Sequence, residues 1–156
     1  MKTLLIFLIS FAFYCFSFSQ KAMHFNVAKN TGIHTSQLDS IYLRGIHADT
    51  SLAVFKTNAE EYIAAYQKLL QDFGKHLKAN NFIWEKATKG FNRIYFNKEG
   101  KIDYFLYSFR PDQLTTEQEK RFDDLLNKFV AVYQFPLKAK SNFAQCSPVT
   151  YMPEAK

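Results

Sequence analysis

Four histidines and one cysteine are the side chains best suited to chemistry beyond the amino-terminal segment: His24, His34, His47, His76 and Cys146. No two of the histidines stand four residues apart, the spacing that sets two imidazoles on one helical face for a metal. A zinc site also wants cysteine or carboxylate ligands at matching intervals. His47 and Asp49 are near neighbours, and they read as a surface histidine beside a turn aspartate. No metal site and no cofactor is expected. Cys146 lies within Phe143-Ala144-Gln145-Cys146-Ser147-Pro148. A nucleophilic cysteine needs a helix N-terminus or a nearby base to favour its thiolate. Cys146 is expected on a strand, where a buried thiol acts as a small apolar side chain. The alternative, a cysteine-dependent enzyme using Cys146 with a histidine brought near by folding, stays open.

Other catalytic patterns are missing from the sequence. There is no Gly-x-Ser-x-Gly elbow. The five glycines are scattered and form no phosphate-cradling loop. The pairs Glu60/Glu61 and Asp123/Asp124 are adjacent on predicted helices, so their side chains diverge and make no dyad. The aromatic content is a stronger signal, with 17 Phe, 9 Tyr and 1 Trp. Trp84, Arg93, Tyr95, Tyr104 and Tyr107 lie on or beside a predicted hairpin and are the candidate binding residues. Residues alternate between the two faces of a strand, so core packing and helix cover are expected to take most of these rings, with an exposed aromatic strip beside Arg93 and Lys101, suited to a glycan or a peptide strand, as the alternative.

These residues need elements to hold them. Thr57 and Asn58 precede Glu60 and Glu61 at capping-box spacing, and Tyr62, Tyr66, Leu69, Leu70, Phe73 and Leu77 come next at helical period. They predict a helix from about Ala59 to Lys78, stopped at Asn80-Asn81. Residues 91–96 and 102–109 predict a hairpin whose turn, Asn97-Lys98-Glu99-Gly100, suits a type I turn with a glycine bulge. The second strand is apolar on both faces and is expected to be the more central. Thr115 and Thr116, with Gln118 and Glu119 three residues on, start a second helix carrying Phe122, Leu125, Leu126, Phe129, Val130 and Tyr133. Phe143 to Met152 reads as a last strand, at an edge or bulged because of Pro148. Residues 20–56 read as an irregular lead-in with a short helix near Ser36, residues 57–152 as the folded unit and 153–156 as a frayed tail. The fold class is α+β: two amphipathic helices on a small antiparallel sheet of three or four strands, in two layers.

The address is written at the amino end. Lys2, an apolar run from Leu4 to Phe18 and the small residues Ser17 and Ser19 make a three-part secretory signal over residues 1–19, cleaved before Gln20. The run falls short of the roughly 20 apolar residues of a membrane span and is broken by Ser10, so no stable span is expected after cleavage. Lipidation at Cys15 is not expected, because bulky Phe13 and Tyr14 precede it. The protein is thus expected in the periplasm or secreted. With Cys146 alone beyond the signal, no intrachain disulfide holds the fold, and a core must do so. The net charge of +6 is mild and unclustered. That argues against nucleic acid and leaves an envelope protein or an anionic cell-wall polymer as partner.

The hairpin and the segments after it resemble the C-terminal domain of TonB-type energy transducers. Phe96-Asn97-Lys98-Glu99-Gly100-Lys101-Ile102 is similar to the first turn of that domain. Phe122 to Val132, continuing into Tyr133-Gln134-Phe135-Pro136, is similar to its helix and exit, and Ser147-Pro148-Val149-Thr150-Tyr151 to its last strand. The likeness covers about residues 90–152. It implies a two-layer α+β module that pairs with a partner's strand at a sheet edge. The Phe-rich signal ending Ser-Phe-Ser-Gln resembles those of exported Bacteroidetes-type proteins. Together these features point to a non-enzymatic envelope protein.

Overall fold

The computed structural model describes residues 21–153; the predicted signal segment and the last three residues of the tail lie outside them. The elements are β1 (Lys21–His24), α1 (Phe25–Asn30), α2 (Thr35–Ile41), β2 (Leu43–Arg44), a 3₁₀ turn (Thr50–Leu52), α3 (Ala59–Ala79), β3 (Thr88–Phe96), β4 (Ile102–Phe109), α4 (Thr116–Val132) and β5 (Phe143–Tyr151).

The two long helices form where their apolar periodicity places them, and of the two expected capping boxes only that of α4 is made. Thr115 caps α4 in a complete capping box with Gln118. At α3 the N-cap is Asn58, whose side chain does not cap the helix; its amide donates instead to Glu61 Oε2 at 3.2 Å. The helix ends at Asn80, and Asn81 takes a positive φ of 57°. Tyr62, Leu69, Phe73 and Leu77 from α3 and Phe122, Leu126 and Val130 from α4 are at most 1 % exposed. They pack on one face of the sheet with Ile94, Phe96, Phe105, Tyr107 and Phe143.

The α+β class holds, but the sheet differs from the expectation. It has five strands in the order β1-β4-β3-β5-β2, and it is mixed. β3 is antiparallel to β4 and β5, whereas β1 runs parallel to β4 and β2 parallel to β5. β3, not β4, is the middle strand. The two added strands come from residues 21–56, so this described part of the expected lead-in is an integral part of the fold and not irregular. Between them, α1 and α2 cross the sheet face opposite α3 and α4, from one edge to the other. Ala28, Leu38 and Tyr42 there bury Tyr95 and Leu106 in a second, smaller core. Helices therefore lie on both faces, which makes three layers where two were expected.

Both outer edges are closed by specific groups. On β1, Ala22 N–H donates to Asn127 Oδ1 at 3.0 Å, and Asn127 Nδ2 donates to Ala22 C=O at 2.9 Å. One amide side chain from α4 thus stands where the next strand would be. On β2, Val54 N–H donates to Arg44 C=O and Phe55 N–H to Gly45 C=O. β5 pairs with β3 along its whole length but with β2 only at Phe143 and Ala144. Ala144 C=O accepts from Gly45 N–H, so by alternation Cys146, Pro148 and Thr150 point their backbone groups outward. Pro148 has no N–H, and Cys146 C=O accepts from its neighbour's Gln145 Nε2 at 3.0 Å. This uncovered run is blunted as unprotected edge strands usually are, and Pro148 takes the edge position its type requires.

Candidate binding face

The sheet face opposite α3 and α4 is only half covered. Strand alternation puts Lys89, Phe91, Arg93 and Tyr95 of β3 on it, with Tyr104, Leu106 and Ser108 of β4 and Ala144, Cys146, Pro148 and Thr150 of β5. The α1–α2 segment covers Tyr95, Leu106, Tyr104 and Ala144. The rest is open, and the register sets it in rows: Arg93 beside Cys146, Phe91 between Ser108 and Pro148, Lys89 beside Thr150.

Two cavities lie along these rows. One, of about 450 Å³, is bounded by Asp39, Tyr42, Arg44, His47, Arg93 and Cys146 among others. The Arg93 guanidinium is tied to Asp39 at 2.6 Å and lies 5.8 Å from the Tyr95 ring centre. Its Nε is buried without a hydrogen-bond partner among the described residues. Tyr95 Oη also donates to Asp39, at 3.1 Å. Tyr42 Oη donates to Asp103 at 2.8 Å. Burial, with Asp103 next to it, pushes the Tyr42 phenol above its ordinary range, and burial likewise raises Tyr95. Both phenols are neutral donors at any physiological pH and act as supports for the two carboxylates. The other cavity, of about 480 Å³, lies over Phe91 and Pro148, with Lys89, Arg110, Ser108 and Thr150 around it.

The five expected binding residues do not form one surface. Tyr95 is 0 % and Tyr107 2 % exposed. Tyr107 and Trp84 belong to the opposite, helix-covered face. Trp84 stacks on Tyr151 with ring centres 4.4 Å apart. Tyr107 Oη donates to Asp123 at 3.1 Å, a carboxyl that burial holds above the usual carboxylate range. Tyr104 lies half-buried against the second core. Only Arg93 reaches the open region. The alternative of an exposed aromatic strip does not form: core packing takes most of the rings, as expected, because large rings give more stabilisation there, and among the described residues the ring left exposed on the sheet face is Phe91, at 38 %.

Cys146 is also corrected. It is on β5 as expected, but its side chain is exposed. It alternates with the inward Gln145, whose Oε1 accepts from the Tyr62 hydroxyl of α3, and the inward Ser147, whose hydroxyl shares a hydrogen bond with that of Tyr66. Burial raises the Tyr66 phenol to about 12. His47 borders the same cavity as Cys146, but its Nδ1 is occupied by Asp49 N–H at 3.1 Å. No histidine hydrogen-bonds the Cys146 thiol among the described residues. His24 caps α1 through Nδ1, and His76 Nε2 meets Leu125 C=O across the α3–α4 contact. No group of three His, Cys, Asp or Glu residues suited to a metal occurs among the described residues, and none of their helices is long and apolar enough to cross a membrane. Compared with family models, curated proteins and solved structures, the chain has no match in any of the three.

Proposed function

We propose that this is an exported, non-enzymatic binding protein of the cell envelope, and that an anionic envelope component docks on the open half of the sheet face. The observation that carries this reading is the charge of that face. Lys89, Arg93 and Arg110 border its cavities, and Asp39, already tied to Arg93, is the one carboxylate among the residues around them. Cations fixed on a rigid sheet raise the local concentration of an anion and orient it. The TonB-like resemblance implies strand pairing at an edge instead. Closed edges on β1 and β2 and the blunted run of β5 favour the face.

Salt-sensitive capture of an anionic component from envelope extract tests this. The Lys89→Glu/Arg110→Glu pair should abolish capture while the Trp84 emission stays native. Equal capture by the charge-reversed protein rejects the face as the site. Protein recovered from its native cell should begin at Gln20, and an intact Met1 rejects export.

One observation favours a second reading, a thiol enzyme: His47 and Cys146 border one cavity. This requires His47 to activate the thiol. Iodoacetamide labelling of native protein at pH 6 should then slow by about tenfold or more in His47→Ala, the scale of general-base assistance. We expect equal rates in the two proteins, which ends the enzyme reading.

A further inference from the structure

Both cations of the Phe91–Pro148 cavity are unspent. Neither the Lys89 ammonium nor the Arg110 guanidinium makes an ion pair or a hydrogen bond among the described residues, and no carboxylate borders the cavity. Its floor is apolar and fixed. Phe91 and Pro148 are cross-strand neighbours, and the Phe91 ring is braced from the side by Phe25, with ring centres 6.2 Å apart. Ser108 and Thr150 add hydroxyls beside that floor. A volume of about 480 Å³ is within the size range of small-ligand sites.

Resting on the proposal that an anion docks on this face, we infer that the Phe91–Pro148 cavity is a subsite for a carboxylated sugar ring of a uronic-acid glycan. A pyranose presents an apolar C–H face to an aromatic ring. It carries hydroxyls for Ser108 and Thr150, and its carboxylate answers Lys89 and Arg110. An acidic peptide strand fits less well. Its affinity would come from main-chain hydrogen bonds to a sheet edge, and a sheet face has none to give. Arg93 lies four positions along β3 from Lys89, about 13 Å of strand, so a second carboxylate further along a linear glycan can reach the Arg93 and Arg44 end.

Calorimetric titration of the mature protein with trigalacturonic acid tests the assignment, beside its methyl ester and a hexaglutamate peptide. The acid should bind, and the ester should not. Phe91→Ala should weaken binding about fivefold through the lost ring contact. Lys89→Gln/Arg110→Gln should weaken it at least about tenfold. Thermal unfolding confirms that both variants remain folded; Phe91 and the two cations are surface groups. Hexaglutamate binding as tightly as the acid, with Phe91→Ala silent, overturns the sugar assignment and leaves the anion-binding face standing. Equal binding of the ester overturns it as well. No binding of either anion, together with loss of salt-sensitive capture from envelope extract, overturns both.

Discussion

Gly100→Val should lower the stability of the protein by at least about 3 kcal/mol, measured by urea unfolding. Two independent effects add. Gly100 closes the β3–β4 turn at φ 85°, a left-handed conformation that a β-branched residue resists. Asn97 Oδ1 accepts from the N–H groups of Glu99 and Lys101 at 3.0 Å each and holds the turn in that shape, so the strain cannot be relieved locally. A Cβ at Gly100 would also stand 2.6 Å from Phe135 C=O, on the segment whose Phe135 N–H donates to Gly100 C=O at 2.9 Å. Gly32 is the internal control. It has nearly the same φ, 81°, and nothing within 4 Å of an added Cβ. Gly32→Ala should therefore cost only about 1 kcal/mol, the backbone part alone. Equal losses at the two sites would show that the Phe135 segment yields and that the turn's φ alone matters.

Phe122→Ala should cost about 3–5 kcal/mol, the range for deleting a buried ring. Phe122 is fully buried, and six rings surround it: Phe73, Phe82, Trp84, Tyr107, Phe109 and Tyr151, with centres 5.0 to 6.0 Å away. These rings come from α3, the loop after it, β4 and β5, so no single neighbour can move in to fill the void. Trp84, the single tryptophan, lies 5.9 Å from Phe122. Its emission should shift to the red in the folded variant as water gains access to the gap. A loss below about 1 kcal/mol would mean that the cluster collapses around the cavity.

The parts of this fold legible in the sequence are those specified locally. α3 and α4 carry an unbroken apolar stripe, α4 adds its Thr115–Gln118 capping box, and the β3–β4 turn carries its own asparagine and glycine. β1 and β2 carry no such signal. Lys21–His24 and Leu43–Arg44 are strands only because β4 and β5 lie beside them, and parallel pairing across that chain distance leaves no local trace. α1 is capped by His24, a residue type that rarely marks a cap, so its start has no sequence signature. The site is less legible than the fold. On β5 neither alternate set is uniformly apolar: Phe143 and Val149 share a face with Gln145 and Ser147, so period alone does not decide whether Cys146 points in or out. Tyr95 faces away from α3 and α4, and only the α1–α2 cover, which has no local signal, buries it. Phe91, by contrast, sits on a strand that its own neighbours specify, and its exposure arises because α1 and α2 stop short of it.

The parallel pairing of β1 has a temporal side. Synthesised amino end first, the chain makes residues 21–24 early, yet their hydrogen-bonding neighbours on β4 are residues 104–107, and Asn127 comes later still. Leu43 and Arg44 likewise wait for Phe143 and Ala144. Assembly cannot finish from the front: nearly the whole polypeptide must be available before its first segments find their places. Such long-separation contacts slow folding and keep the nascent molecule open until its last stretch arrives, a state well suited to handling by a holding chaperone.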